Sequence, residues 1–238
     1  MAHKENIGAI IFSRYDSSRL YGKALIDIEG RSLLGRVIDR AKLIKGVSKI
    51  VVATSNRKID DAICRFALSE NISTFRGSLS DVFGRALNAC KKYKFDIFAR
   101  ICGDRPFLDY ELISEGIKII KNSNFDIVTT MFPRTYPPGL TTEIIKKELL
   151  ENFDKKVLNP FDREHLTTYF YKNPVDIKIS NMANLNYESI KNIRLVIDNE
   201  EDLKRSKWIA KNLAKKRNIK EINSVIKLAL SYKKLNQL

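Results

Sequence analysis

Residues 10–30 read IIFSRYDSSRLYGKALIDIEG. The first three of them end an apolar, β-branched run that begins at Ile7, and a polar loop follows. The loop carries three cations: Arg14, Arg19 and Lys23. Within the loop only Asp16 opposes them. Because open α/β sheets bind anionic ligands in loops at the carboxyl ends of strands, this stretch predicts a first strand and an anion-binding loop, with a basic surface turn as the alternative.

Strand-like and helix-like segments alternate along the first 130 residues. Apolar runs predict strands at 7–12, 49–54, 72–75, 96–101 and 125–130. The segments between them carry apolar residues at helical spacing, and we expect Ser32 to cap the first helix and Ser78 or Ser80 to cap the third. Continuous apolar strands that alternate with helices predict an α/β fold, with a mostly parallel sheet covered by helices on both faces.

The alternation breaks after residue 130. Residues 132–142 contain three prolines and one glycine, which predicts an irregular excursion. Asn159 and Pro160 fit the N-cap and first position of a helix that reaches about Lys172. Short strands are predicted at 176–180 and 193–197, before the terminal helices. We interpret residues 1–238 as one domain, with an excursion at about 132–182 that protrudes as a small subregion.

The net charge of +15 is concentrated at the C-terminal end. Residues 203–238 hold eleven Lys or Arg against Glu221 alone. These charges fall on segments with helical apolar spacing, and they do not form a run of interleaved basic and aromatic residues that would stack bases. We therefore interpret 200–238 as basic C-terminal helices with a solvated face. An acidic partner or membrane surface is the alternative, and we expect no nucleic-acid partner.

The cysteines and the hydropathy of the chain indicate its cellular compartment. The three cysteines, Cys64, Cys90 and Cys102, are scattered in apolar surroundings without CxxC spacing, which predicts reduced core residues. The first residues, MAHKENIG, show no signal-peptide pattern, and no apolar run approaches the length of a membrane span. We expect a cytoplasmic protein without a membrane span.

Two aspartates come directly after predicted strands. Asp104 follows the strand at 96–101 and Asp198 follows the strand at 193–197, whereas no Walker loop or G-x-G-x-x-G motif is present. Two carboxylates at strand ends suit Mg²⁺, which binds one or two carboxylates together with substrate phosphates. For each aspartate a structural role is the alternative, since Asp198 could cap the next helix. His165 is read more readily as a histidine on a helix face than as a ligand.

Seven motifs, taken in chain order, resemble the sugar-acid cytidylyltransferases and most nearly their spore-coat-polysaccharide branch. They are SRYDSSRLYGKAL (13–25), VVATSNRKIDDAI (51–63), FRGSLSDVFGRA (75–86), ARICGDRPFLD (99–109), PRTYPPGLTTEI (133–144), DREHLTTYF (162–170) and RLVIDNEEDL (194–203). The resemblance covers residues 7–203. It implies a Rossmann-like nucleotidyltransferase, related to enzymes that activate acylneuraminate and keto-deoxy-octulosonate.

The resemblance implies a reaction and a set of site residues. CMP would move from CTP to a hydroxyl of a sugar acid or related surface-glycan sugar, releasing pyrophosphate, with Mg²⁺ as cofactor in a homodimer. The implied catalytic residues are Arg14, Lys23 and Asp104, and the implied metal ligands are Asp104 and Asp198. The implied substrate-binding residues are Ser13 and Arg19 at the triphosphate, Arg76, Gly77 and Ser78 near the cytosine, and Glu143, Arg163, Glu164 and His165 on the acceptor side.

Other functions of different classes stay open at this point. The same fold could use another nucleoside triphosphate and a sugar 1-phosphate. A non-catalytic protein that binds through its basic C-terminal helices is the other alternative.

Four residues depart from the family pattern. Asp16 replaces a small residue, and its charge would repel CTP unless it points away or pairs with an arginine. Tyr21 replaces a proline, and Arg105 replaces a small residue beside the metal aspartate. Thr141 stands where the spore-coat branch has an aspartate, in G-L-D-x-E. Because Thr141 lies in the acceptor region, the identity of the sugar is what transfers least from the resemblance.

Overall fold

The computed structural model describes residues 5–17, 19–156, 159–190, 192–214 and 222–235. Ser18 of the cationic loop and residues 215–221 of the basic segment lie outside these ranges. In the described chain the strands are β1 (Ile7–Phe12), β2 (Lys49–Ser55), β3 (Ser73–Gly77), β4 (Ile97–Cys102), β5 (Ile127–Thr129), β6 (Glu143–Lys146) and β7 (Ile179–Asn181). The α-helices are α1 (Leu33–Ala41), α2 (Asp61–Ser69), α3 (Val82–Tyr93), α4 (Tyr110–Lys121), α5 (Lys147–Phe153), α6 (Pro160–Glu164), α7 (Thr168–Lys172), α8 (Glu200–Leu213) and α9 (Ile222–Leu235).

All seven described strands form one sheet in the order β3-β2-β1-β4-β6-β5-β7. Strands β1 to β4 are parallel to one another, β6 is antiparallel to both of its neighbours, and β7 is parallel to β5. The chain moves from β1 towards β3 on one side, and then crosses to β4 on the other side of β1. This reversal of direction between β1 and β4 is the kind of position where α/β sheets bind ligands.

Strand β1 lies in the centre because it is apolar on both faces. Ile7, Ala9 and Ile11 pack into one core cluster with α1, α2 and α4. Ile10 points to the opposite face, into a second cluster with α3, α5 and α7. Since successive side chains of a strand alternate between faces, an unbroken apolar run needs helices on both sides. The predicted α/β class and mostly parallel sheet are confirmed.

The C-terminal helices form a third core cluster against one end of the sheet. Helices α8 and α9 bury Ile209, Val225 and Ala229 together with Phe107 and Leu140 from the loops beside the sheet. No helix in the described ranges is both long and apolar enough to cross a bilayer.

Two of the predicted helix caps are confirmed and one is wrong. Ser32 accepts a hydrogen bond from the backbone of Gly35, and Asn159 caps α6 with Pro160 at its first position. The third helix is capped by Asp81 and not by Ser78 or Ser80. The helix expected up to Lys172 is divided into α6 and α7.

The largest differences from the sequence predictions lie after residue 130. Part of the expected excursion at 132–182 belongs to the sheet, because β6 pairs with β4 and β5 while β7 pairs with β5. A 3-10 turn occupies Pro174–Asp176, so the strand starts only at Ile179. The strand predicted at 193–197 is wrong.

The segment 193–197 is apolar for another reason. It lies between two loops, where Leu195 donates a backbone hydrogen bond to the carbonyl of Pro138 and Ile197 donates one to the carbonyl of Asp104. Its apolar side chains are buried in this position, and therefore the segment has the composition of a strand without strand pairing.

Candidate active site

A cleft of about 340 Å³ opens at the carboxyl ends of β1 and β4. These ends lie side by side because Phe12 pairs with Cys102, and the backbone of Gly103 donates to the carbonyl of Phe12 at 2.8 Å. Among the described residues, the predicted site residues that line the cleft are Ser13, Arg14, Arg19, Lys23, Asp104, Glu164, His165 and Asp198. Residues that are far apart in sequence therefore meet at the expected edge of the sheet.

The cationic loop after β1 is held on the end of β2 by a buried carboxylate. Asp60 is completely buried and accepts a hydrogen bond of 2.6 Å from the backbone N–H of Tyr15. Its other oxygen accepts a close hydrogen bond from Ser55. At the far end of the loop Gly22 has a φ of 68°, a left-handed conformation that suits glycine, and it starts the 3-10 turn Lys23–Leu25. The backbone around Lys23 is thereby fixed.

Asp16, the anionic side chain of this loop, is paired. Both of its carboxylate oxygens accept hydrogen bonds from the guanidinium of Arg57. The hydrogen bond from Arg57 holds the pKa of Asp16 below its ordinary value, against a smaller opposing effect of burial. The charge of Asp16 is therefore balanced within the protein, which resolves the conflict that the sequence raised. In the described chain Arg14 has no carboxylate within ion-pair distance.

Lys23 brings the two aspartates of the site together. Its ammonium nitrogen lies 3.2 Å from Asp198 Oδ1 and 3.8 Å from Asp104 Oδ2, and it donates to the carbonyl of Ile197 at 2.9 Å. Asp198 is also 3.6 Å from a guanidinium nitrogen of Arg19. Both carboxylates thus lie within 4 Å of one ammonium group beside the cationic loop.

The aspartate pair fits a divalent cation that takes its remaining ligands from substrate. Asp104 Oδ1 is buried and has no hydrogen-bond partner in the described chain, so one carboxylate oxygen is free to bind a metal. No group of three or more His, Cys, Asp or Glu side chains suited to a metal occurs among the described residues. One or two carboxylates completed by phosphate oxygens and water is the arrangement typical of Mg²⁺.

Arg85 lies in the cleft wall and was not indicated by the sequence. The residue is 6% exposed, donates to the carbonyl of Ser78 at 2.9 Å and lies over the ring of Phe12. Burial lowers the pKa of Arg85 to about 10, which leaves the guanidinium charged at neutral pH. Its Nε–H is buried without an acceptor, and no carboxylate lies within ion-pair distance in the described chain. A buried cation without a counter-ion is costly unless a ligand supplies one.

Arg100 is a second arginine of the cleft and is half-buried. It forms a close ion pair with Glu143, whose other oxygen accepts a hydrogen bond of 2.7 Å from the hydroxyl of Tyr171. Burial raises the pKa of Glu143, but Arg100 and the hydrogen bond from Tyr171 outweigh it and hold the pKa below its ordinary value. The Nε–H of Arg100 has no acceptor among the described residues. Both carboxylate oxygens of Glu143 are thus held by Arg100 and Tyr171. Glu143 is the counter-ion of Arg100, and Arg100 is the member of the pair that lines the cleft.

Two departures from the family pattern are in contact. Arg105 donates a hydrogen bond of 2.6 Å to the carbonyl oxygen of Thr141. The positive charge of Arg105 also contributes to lowering the pKa of Glu143, which lies two residues after Thr141. Arg105 therefore adds positive charge near Glu143 that a small residue at this position would not supply.

Several predicted residues do not line the cleft. Arg76 pairs with Asp61 and donates to the carbonyls of Ser55 and Arg57, which ties β3 to the turn after β2. Arg163 pairs with Asp81 at 2.8 Å and also with Asp154, across the start of α3. The other predicted residues outside the lining are Gly77, Ser78 and Glu143.

Cys102 differs from its interpretation as a core residue, whereas His165 lies in the cleft, where the family resemblance places it, and not merely on a helix face. Cys102 lines the cleft and is half-buried, whereas Cys90 is a core residue as expected. His165 ends α6, lines the cleft and packs on Phe161 with ring centres 4.3 Å apart.

The chain is similar to cytidylyltransferases by sequence. The family described as Cytidylyltransferase matches residues 8–234. An uncharacterized protein of Methanocaldococcus jannaschii is 36% identical over 195 residues, which cover 82% of this chain and 79% of that protein. The spore coat polysaccharide biosynthesis protein SpsF of Bacillus subtilis is 27% identical, with 81% of each chain covered. The 3-deoxy-manno-octulosonate cytidylyltransferase of Desulfosudis oleivorans is 31% identical, covering 71% of this chain and 64% of that enzyme.

The fold is similar to that of a solved cytidylyltransferase from Leptospira borgpetersenii. The TM-score is 0.87 at 29% identity, and the match covers 98% of this chain and 96% of that one. The family resemblance drawn from the seven motifs is confirmed. With a family match that spans nearly the whole chain and a cleft of matching residues at the switch point of the sheet, the chain belongs to the cytidylyltransferase family of CTP-dependent nucleotidyltransferases.

Proposed function

We propose that this protein transfers CMP from CTP to a hydroxyl of a sugar acid or related surface-glycan sugar and releases pyrophosphate. The observation that carries the proposal is the meeting of Lys23 with Asp104 and Asp198 beside the cationic loop, in one cleft. In this reaction the acceptor oxygen forms a bond to the α-phosphorus of CTP while the bond from that phosphorus to the bridging oxygen breaks. The hydroxyl proton leaves to solvent or a nearby carboxylate.

The protein's part in this displacement is to position the groups and to balance charge. Arg14, Arg19 and Lys23 face a cleft in which the loop's own anion, Asp16, is already paired with Arg57. A triphosphate would therefore meet cations whose field is not cancelled by that carboxylate. As charge develops on the pyrophosphate, the same cations stabilise it in place.

Asp104 and Asp198 would hold Mg²⁺, and the free buried oxygen of Asp104 supports this assignment. When bound, the ion supplies charge stabilisation at the leaving pyrophosphate. Lys23 would remain close to both carboxylates and to the substrate, so it couples metal binding to triphosphate binding. The Arg194 contact to Asp198 Oδ2 at 3.1 Å orients the second carboxylate.

The acceptor is proposed to carry a carboxylate because two arginines of the cleft, the buried Arg85 and the half-buried Arg100, have spare donors. Arg85 lacks a counter-ion in the described chain, and the Nε–H groups of Arg85 and Arg100 lack acceptors there. A planar guanidinium recognises a carboxylate with directed hydrogen bonds. The 3-deoxy-manno-octulosonate enzyme among the relatives gives independent support for a sugar acid.

The test is pyrophosphate release with each of the four nucleoside triphosphates, in the presence of Mg²⁺ and a panel of acceptors. The panel contains sugar acids, their methyl esters and sugar 1-phosphates. We expect release with CTP and a sugar acid, and a large loss with the methyl ester. Activity with a sugar 1-phosphate and not with any sugar acid would contradict the proposal, and Asp104→Ala serves as the inactive control.

We also propose a homodimer. Three large apolar side chains in the 132–182 region are exposed, namely Phe132, Phe161 and Val175. Such side chains on one region suit burial against a second copy. Sedimentation velocity at micromolar concentration measures the mass, and a monomer that stays fully active would contradict a functional dimer.

A further inference from the structure

A second charged pocket of about 250 Å³ lies among α8, α9 and the segment 192–194. It shares no lining residue with the active-site cleft. Its lining includes three cations: Arg194, Arg205 and Lys233. The pocket is built on the basic C-terminal helices, whose charge the reaction at the cleft does not use.

One cation of this pocket has no carboxylate partner among the described residues. Asp202 is 2% exposed and pairs with both Arg194 and Arg205. Glu201 accepts a hydrogen bond of 3.0 Å from the hydroxyl of Tyr232. Lys233 has no carboxylate within ion-pair distance in the described chain. Arg194 and Arg205 thus have carboxylate partners, whereas the charge of Lys233 is left for a ligand to balance.

A buried donor in the same pocket also needs an acceptor. The Nε–H of Arg205 is buried and has no hydrogen-bond partner among the described residues. Leaving a buried donor unpaired is destabilising, and an oxygen ligand would remove that cost. The spare charge and the spare donor together indicate a small oxyanion. Guanidinium and ammonium groups that line one pocket suit a phosphate group.

Arg194 connects this pocket to the active site. Its Nη2 lies 3.1 Å from Asp198 Oδ2 and 3.4 Å from Asp202 Oδ2. The backbone N–H of Asp198 in turn donates to Asp202 at 3.0 Å. Arg194 is therefore shared between the buried carboxylate of the pocket and a carboxylate of the cleft. Any ligand that draws on Arg194 changes the charge around Asp198.

We propose that the pocket binds inorganic phosphate or pyrophosphate and that this binding is coupled to the active site through Arg194. An anion in the pocket competes with Asp198 for Arg194 and leaves that carboxylate with more negative charge for a divalent cation. Since coupling between two sites is reciprocal, a cation at Asp198 strengthens anion binding in the pocket. The coupling rests on the proposed metal role of Asp198, whereas the anion site does not.

The anion site is tested by ¹H–¹⁵N NMR during separate titrations of phosphate and pyrophosphate without nucleotide. We expect a saturable shift of the Ala229 amide, with an affinity at least fivefold weaker in Lys233→Gln. Lys227→Gln removes the same charge from an exposed position of α9 outside the pocket, and its affinity should match the wild type. Shifts confined to Ser13 and Gly103 of the cleft, or equal affinities in the two variants, would overturn the site.

The coupling is tested by repeating the titrations with Mg²⁺. We expect tighter phosphate binding at Ala229 in the presence of Mg²⁺, and no such gain in Asp198→Asn. An equal gain in that variant, or none in the wild type, refutes the coupling. Because these measurements need neither CTP nor acceptor, a failure of the proposed transfer reaction would be seen separately, as absent pyrophosphate release.

Discussion

Arg57 donates hydrogen bonds to both carboxylate oxygens of Asp16, although the two residues are 41 positions apart. Arg57 also lies 3.3 Å from Asp60, the buried carboxylate that fixes the backbone of Tyr15. One guanidinium therefore neutralises the loop's own anion and ties the loop to the turn after β2. The cationic loop keeps its positive character because of a residue that lies outside it.

The first prediction concerns this contact. Arg57→Gln should raise the KM for CTP about tenfold, or ~1.4 kcal/mol in binding, because the uncovered charge of Asp16 then opposes the triphosphate. The double variant Asp16→Asn with Arg57→Gln should recover most of that loss, since it removes the uncovered charge. Steady-state kinetics with CTP varied and acceptor saturating measures both effects.

The control for this prediction is Arg65→Gln, which removes an exposed arginine of α2 that has no ion pair in the described chain. Its KM for CTP should stay within about twofold of the wild-type value, as is usual for surface substitutions. If the double variant binds CTP as weakly as Arg57→Gln alone, Arg57 acts by holding the backbone and not by neutralising Asp16.

The second prediction concerns Lys23. Lys23→Met should bind Mn²⁺ more tightly than the wild type in the absence of CTP, because Asp104 and Asp198 lose the ammonium between them. The same variant should lose at least about a hundredfold in kcat/KM, consistent with the loss of a charge that stabilises the transition state. Mn²⁺ binding measured by electron paramagnetic resonance separates the two effects.

The matched comparison is Asp104→Asn, which should weaken Mn²⁺ binding and also lower kcat. Weaker Mn²⁺ binding in Lys23→Met would show that the lysine orders the aspartates more than it repels the ion. Unchanged Mn²⁺ binding in Asp104→Asn would remove Asp104 from the metal site.

The sequence predicted the parts of the fold and site that depend on local pattern. The strand at 7–12 and the loop after it are visible because a buried parallel strand is an unbroken apolar run, and Asp104 follows such a run directly. Strand β6 was missed because it has only four residues and charged ends. Asp198 was placed after a strand that does not exist, and its position comes from the backbone bond between Ile197 and Asp104.

The two cleft arginines, Arg85 and Arg100, could not be found by sequence pattern. Arg85 lies on a helix and Arg100 inside a strand, where a single basic residue is typical of an exposed face. Their importance depends on burial and on missing partners, which are properties of the folded chain. The sequence showed that the negative charge of Asp16 is unfavourable in an anion-binding loop. That Arg57 neutralises this charge could be seen only in the folded chain.

The third prediction concerns Arg85. Arg85→Met keeps most of the buried volume and removes the charge, so it should raise the KM for the acceptor at least about tenfold and leave the KM for CTP within about twofold. The thermal midpoint should not fall, because replacing a buried unpaired charge by an apolar side chain is often neutral or stabilising. A rise in the KM for CTP instead would assign Arg85 to the nucleotide.

The fourth prediction concerns the stability of the Arg100–Glu143 pair. Glu143→Gln leaves Arg100 without its buried counter-ion, which should cost about 3–5 kcal/mol in the free energy of unfolding at pH 7. Urea unfolding measures the difference. Glu115→Gln, an exposed residue of α4 without an ion pair in the described chain, is the control and should lie within about 0.5 kcal/mol of the wild type.

Because of the Arg100–Glu143 pair, the difference in unfolding free energy between wild type and Glu143→Gln should depend on pH. The pKa of Glu143 is lower in the folded protein than its ordinary value, so its ionisation stabilises the fold above that ordinary value, and the stabilisation is lost as the pH falls through the lowered pKa. The gap between wild type and Glu143→Gln should therefore be full at pH 7 and should shrink below about pH 4. Glu115→Gln should show no comparable change over this range. A gap that stays constant down to pH 3 would mean that Glu143 contributes through the shape of its hydrogen bonds to Arg100 and Tyr171, and that its charge adds little.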